Sequence, residues 1–124
     1  MVADVEAVVE AFNDCINRAD IDGLSRLMTD GHRFVDSAAR IVSGKEACLS
    51  TWKEFFSAFP DYRNRFDRLI VGGDKVVIVD SSTCSDHRLA GPALWQATMS
   101  GHRVDEWRVF DDSPANRVAL GISG

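Results

Sequence analysis

The sequence predicts an α+β domain, with helices packed on one face of a curved, mostly antiparallel sheet. Three observations predict it. Apolar residues recur at helical spacing from Val5 to Met28, alternate around Phe34, and return to helical spacing from Lys45 to Phe59. Two glycine-bearing turns, Gly72-Gly73-Asp74 and Ser100-Gly101-His102, then each divide a pair of extended segments, which reads as two hairpins. A length of 124 residues, without repeats, low-complexity tracts or linkers, fits one domain spanning residues 1–124. The resulting order ααββα-ββββ-α segregates helices from strands.

Each element has a local cause. Over residues 3–19, Val5, Val8, Val9, Phe12, Cys15, Ile16 and Ala19 form one apolar stripe with charged residues around the rest of the axis. Asp20 caps a second, short helix presenting Ile21, Leu24, Leu27 and Met28, and Gly31 is expected to end it. His32, Phe34 and Asp36 then alternate with Arg33 and Val35 as a strand of about five residues. After the turn Ser37-Ala38-Ala39, Arg40 to Val42 return as a brief strand. Ser43-Gly44-Lys45-Glu46 reads as a capping box opening a third helix, with Cys48, Trp52, Phe55, Phe56 and Phe59 along one side and Pro60 as its stop. Tyr62 to Val71 and Lys75 to Ser85 make the first hairpin; Ala93 to Met99 and Arg103 to Phe110 make the second. Ser113-Pro114 sets an N-cap before a proline, starting a short helix that ends near Gly121.

Composition removes whole classes of function. With 45% hydrophobic and 27% charged residues the chain is globular rather than disordered or fibrous. A net charge of −5 argues against a nucleic-acid partner, which needs a basic face to displace counterions. Cys15, Cys48 and Cys84 are odd in number and form no C-x-x-C pair, and His32, His87 and His102 have no ligand-like spacing with them. Free thiols, no metal and a reducing compartment are the expectation. The opening MVADVEAVVEAF mixes acids into its apolar pattern and lacks a basic leader, so no signal peptide is expected. No apolar run approaches the ~18 residues of a membrane span. A cytoplasmic protein without a membrane partner is expected.

The segments AFNDCINRADIDGLSRLM, HRFVDSAARIVSGKEA, FFSAFPDYR, LIVGGDKVVIV and VDEWRVFDD, in this order over nearly the whole chain, resemble the nuclear transport factor 2-like superfamily. Within it they resemble the SnoaL-like polyketide cyclase and ketosteroid isomerase branch. The resemblance implies a cystatin-like, cone-shaped α+β roll around an apolar pocket, often as a homodimer. It leaves function open, because this fold hosts isomerases, cyclases, dehydratases, epoxide hydrolases and binding modules. It puts Asp36 where ketosteroid isomerase keeps its proton-shuttling aspartate. Phe12 stands where that family has a tyrosine, and Trp95 where it has a second aspartate, so steroid isomerisation itself is not expected.

The candidate catalytic pair is therefore Asp36, as a base, and His32, as a relay or hydrogen-bond donor sharing its strand parity. An apolar wall would raise the pKa of Asp36; an ion pair with Arg40 is the competing expectation. Phe12, Phe34, Trp52, Phe56, Trp95 and Trp107 are expected to line a pocket for a small apolar or aromatic ligand. Asp80, Ser82, Cys84 and Asp86 give the fourth strand one polar face, either for a ligand or for a wet dimer interface, the second being preferred. The reading that results is cofactor-free acid–base catalysis: isomerisation, cyclisation or dehydration of a small hydrophobic substrate. A non-catalytic binding module and an epoxide hydrolase are the alternatives. A homodimer through the outer face of the sheet is expected, since helices cover one face and Val76 to Val79 are apolar on both.

Overall fold

A computed structural model describes residues 4–122. The elements follow the order α1 (Val5–Arg18), α2 (Ile21–Leu27), β1 (Met28–Val35), β2 (Ile41–Ser43), α3 (Lys45–Ala58), β3 (Arg63–Gly72), β4 (Lys75–Thr83), β5 (Gly91–Ser100), β6 (Arg103–Asp111) and α4 (Pro114–Ala119). One 3-10 turn, His87–Leu89, lies between β4 and β5. The strands form a single sheet in the order β2-β1-β6-β5-β4-β3, antiparallel except for the parallel pair β1 and β6. The α+β class and the element order are as the sequence predicts.

Capping explains most boundaries. Asp4 accepts from Ala7 N–H at the start of α1, Asp20 from Gly23 N–H at the start of α2, and Ser113 from Asn116 N–H at the start of α4. Gly23 is required where α2 approaches α1: a Cβ there would lie 2.5 Å from Cys15 Sγ. Gly73 and Gly101, at φ 62° and 61°, make the two hairpin turns.

Two boundaries differ from expectation. Gly31 does not end α2, because the chain becomes extended at Met28, where Thr29 Oγ1 donates to Asp105 Oδ1 at 2.7 Å and Met28 pairs with Val104. The strand β1 is therefore longer than the five residues expected and absorbs Gly31 in an irregular stretch. The capping box also fails to form. Ser43 is spent on β2, opposite Arg33, and Gly44, at φ 98°, caps α3 without a side-chain bond.

The main core lies between the helices and the inner face of the sheet, around Phe12, Ile16, Leu24, Met28, Ile78, Trp95 and Trp107. A smaller cluster on the other face joins Val77 and Leu94 to Leu120 and Ile122 at the end of the chain. The outer face is thus partly covered by the C-terminal segment, a feature absent from the expectation that helices cover one face alone.

Candidate functional site

Strand alternation decides which polar groups enter the cone. Val76 and Ile78 of β4 are fully buried in the main core, and the same row continues with Asp80 and Ser82. These two therefore point inward, beneath α3, and not into an outer interface. On β3 the matching inward position is Asn64, paired in register with Ser82, and Tyr62 precedes it by one strand step. Pro60 and the turn after α3 deliver Tyr62, whose N–H donates to Phe59 O at 3.1 Å.

A cavity of about 320 Å³ opens between α3 and the ends of β4, β5 and β6. Its wall is Phe34 from β1, Cys48, Trp52 and Phe55 from α3, Leu89 and Pro92 at the mouth, and Trp95, Val109 and Phe110 from the sheet. Tyr62 and Ser82 add hydroxyls to this largely apolar wall, and Ser37, Thr51, Arg88 and Asp111 are the other polar members of the lining. Arg88 is bound to Asp86 at 2.6 Å.

Behind the hydroxyls lies a carboxylate. Tyr62 Oη and Ser82 Oγ are 3.0 Å apart, and Ser82 Oγ donates to Asp80 Oδ2 at 3.4 Å. Trp95 Nε1–H donates to the same oxygen at 2.6 Å. Asp80 is 1% exposed, and burial raises its pKa from 3.8 to about 6 against the opposing bonds from Trp95 and Ser82. Burial likewise pushes Tyr62 up to about 12, so its hydroxyl keeps its proton at every working pH. A carboxylate that titrates near neutrality behind two hydroxyls can accept a proton from a pocket ligand and return it.

The expected site divides. Phe34, Trp52 and Trp95 line the cavity. Phe12 and Trp107 do not: they stack on each other at 4.4 Å, fully buried in the core below it. Phe56 stacks on Trp52 at 5.5 Å but faces a separate cavity beside Ile16, Phe59 and Arg63.

Asp36 lies beyond the end of β1, in the turn to β2. Its Oδ1 accepts from the N–H groups of Ala38 and Arg40, and its Oδ2 pairs with Arg40 Nε at 2.7 Å. Those bonds, led by the Arg40 N–H, hold its carboxyl below the ordinary value, opposite to the raised pKa expected. The strand stops one residue too early to aim Asp36 inward, and the competing Arg40 pair forms.

His32 is fully buried and does point inward, but into the core against Phe12. Its Nδ1 donates to Val104 O at 2.7 Å, which leaves Nε2 a buried lone pair without a partner among the described residues. Desolvation lowers its pKa, so the ring is neutral, and it is not part of the cavity wall. Sequence reasoning missed Tyr62 and Asn64 and misplaced Asp80 and Ser82. The available signal was parity with Val76 and Ile78.

Cys15 and Cys48 are buried, and desolvation raises both thiol pKa values, which disfavours a nucleophilic thiolate. No cluster of residues able to hold a metal is present among the described residues, and no described helix is long and apolar enough to cross a membrane.

Residues 9–112 match the SnoaL-like domain family. No curated protein matches the chain significantly in sequence. Among solved structures it is similar to a candidate polyketide cyclase from Sinorhizobium meliloti, with TM-score 0.76 and 18% identity over 83% of this chain and 93% of that one. It is also similar to an LEH-like epoxide hydrolase of M. tuberculosis, with TM-score 0.73 and 14% identity over 94% and 86% of the two chains. A candidate ketosteroid isomerase from Kribbella flavida gives TM-score 0.73 and 17% identity over 92% and 84%. At these identities the likeness is one of fold.

Proposed function

Because the chain belongs to the SnoaL-like domain family, in which fold alone leaves the reaction open, we propose from its own pocket that it catalyses cofactor-free proton transfer on a small apolar substrate. The observation that carries this reading is the run of hydrogen bonds from the cavity wall through Ser82 to the buried carboxylate of Asp80. A substrate C–H beside a carbonyl gives its proton to Ser82 Oγ as the Ser82 proton passes to Asp80 Oδ2. The electron pair left on carbon moves into an enolate, whose oxygen Tyr62 stabilises by donating its O–H. The apolar wall excludes water from the intermediate. Reprotonation at another carbon gives isomerisation, attack on a second carbonyl gives cyclisation with the new alkoxide taking the proton back, and loss of a β-hydroxyl, which leaves as water with the proton returned by Asp80 through Ser82, gives dehydration.

The test is deuterium wash-in from D2O into a panel of small enolisable aryl ketones, read by mass spectrometry. Exchange catalysed by the wild type and lost in Asp80→Asn supports the reading. Ketones that bind yet exchange no faster than in buffer contradict it.

A binding module is the second reading, favoured by one observation: the cavity is lined by the hydroxyls and not by the carboxylate itself. The epoxide hydrolase alternative needs an Asp–Arg–Asp group around a water. The arginine of the cavity lining, Arg88, is paired with Asp86 rather than with Asp80. A homodimer through the outer sheet face, around the half-buried Ile70 and Val79 that Leu120 and Ile122 leave partly open, belongs to the same proposal. Sedimentation at micromolar concentration tests it, a monomer contradicting it. A cytoplasmic location completes the proposal and is checked by cell fractionation.

A further inference from the structure

A second cavity, of about 370 Å³, lies between the end of α1, the end of α3 and the start of β3. Among the described residues only Tyr62 lines both this cavity and the one assigned to proton transfer. Its apolar side is aromatic. Phe56 and Phe59 are half-buried and braced from behind, Phe56 by Trp52 at 5.5 Å and Phe59 by Phe55 at 5.2 Å. Ile16 and Pro60 extend the same side. Rings fixed in this way leave apolar surface in water, and covering it with a flat aromatic group is favourable.

The polar side carries charge of one sign. Arg18 and Arg63 line the cavity and no described acidic residue does, although the chain as a whole has a net charge of −5. Arg63 is held in place: its Nη1 donates to Tyr62 O at 2.7 Å and to Pro60 O at 3.3 Å, which leaves Nε and Nη2 unbonded among the described residues. Arg18 Nη2 stands 3.8 Å from Asp20 Oδ2, too far for a hydrogen bond. Carbonyls at the end of α1, which would repel an anion, are already bonded: Cys15 O accepts from Asp20 N–H and Ile16 O from Ala19 N–H. The Asn17 carboxamide is spent on the Asn64 backbone, donating to Asn64 O at 2.9 Å and accepting from Asn64 N–H at 2.7 Å. The arginines are therefore the groups left to meet a ligand's charge.

We propose that this second cavity binds a small aromatic carboxylate, its ring laid on Phe56 and Phe59 and its carboxylate paired with Arg63 and Arg18. A planar guanidinium meets a carboxylate through two parallel N–H bonds, and Nε and Nη2 are the pair of Arg63 donors with that geometry. The inference goes beyond the proton-transfer reading and does not depend on it, since neither Asp80 nor Ser82 lines this cavity.

Amide NMR of the ¹⁵N-labelled protein, titrated with naphthalene-2-carboxylate and separately with neutral naphthalene-2-carboxamide, tests this. The carboxylate should give saturating shifts at Asn17, Ala19, Phe59 and Arg63 with a Kd below about 1 mM. The carboxamide should bind there about tenfold more weakly, the scale of one charge-assisted hydrogen bond. Arg63→Gln should weaken the carboxylate by about tenfold at these amides and leave the response of Leu89 and Ala93, beside the first cavity, as in the wild type. If that variant fails to fold, Arg18→Gln, at a side chain 68% exposed, takes its place with the same expectation. Shifts confined to Leu89 and Ala93, or no saturation at the first four amides, would overturn the inference. So would equal affinity for the two probes, or a carboxylate affinity unchanged by the arginine substitution. No turnover is read, so a filled second cavity in a catalytically inert protein would sink the proposed function and leave this site standing.

Discussion

Asp36 lies in the turn after β1 and Asp80 within β4, and their surroundings give them opposite properties. Asp36 sits in a turn where two backbone N–H groups and the Arg40 guanidinium stabilise its charge. Asp80 sits inside the cone, where burial disfavours charge and raises its pKa to about 6. Position relative to a family pattern favours the first; physical environment favours the second. A carboxylate held ionised by an exposed arginine is a poor proton shuttle, because its conjugate acid forms well below the working pH.

The largest expected effect breaks this comparison if it is wrong. Asp80→Asn should lower ketone exchange by about 10²–10⁴-fold, the usual scale for losing an acid–base group. Asp36→Asn should leave exchange within about twofold of the wild type, as for a group that takes no part in the transition state. Equal losses in both would remove the distinction.

Stability against pH sharpens it. Between the unfolded value of 3.8 and about 6, folded Asp80 holds a proton that the unfolded chain has released. Its contribution is therefore full below pH 4 and is lost as pH rises through 6, by about 2–3 kcal/mol. His32 has the opposite sign. Its pKa is lowered from 6.5 by burial, so the stability it contributes is present above that value and lost as pH falls below it. Urea unfolding of Asp80→Asn should thus show stability rising more steeply between pH 4 and 7 than in the wild type. A slope identical to the wild type would contradict the assignment.

A smaller effect belongs to Trp95, whose Nε1–H is a short donor to Asp80. Trp95→Phe keeps an aromatic wall and removes that donor, so the Asp80 midpoint should rise by about one pH unit, the scale of a single charged hydrogen bond. The smallest effect is at the turn. Arg40→Ala should leave exchange and thermal midpoint close to the wild type and let Asp36 titrate nearer its ordinary value.

Most of the fold was legible because its signals are local. The apolar stripe of α1, the Gly73 and Gly101 turns and the Ser113-Pro114 cap each act within a few residues. The errors came where a neighbour distant in sequence decided the outcome. Val104 and Asp105 draw Met28 and Thr29 into β1, and Arg33 claims Ser43 for β2. The site follows the same rule. Phe34, Trp52 and Trp95 were readable as large apolar groups on inward faces, whereas Phe12 and Trp107 have the same character and meet each other first. The Asp80 network joins β3, β4, β5 and α1, with Asn13 and Trp95, 82 positions apart, at its ends. Little that is local announces it: the usable signal was the parity of Asp80 and Ser82 with Val76 and Ile78, which the preference for an outer interface passed over.

The most direct test is a ¹³C carboxyl titration of the ligand-free protein in which Asp80 and Asp36 are both assigned. The account predicts a midpoint near 6 for Asp80 and one below the ordinary 3.8 for Asp36. An Asp80 that titrates at or below 3.8, or an Asp36 that titrates near neutrality, would contradict it.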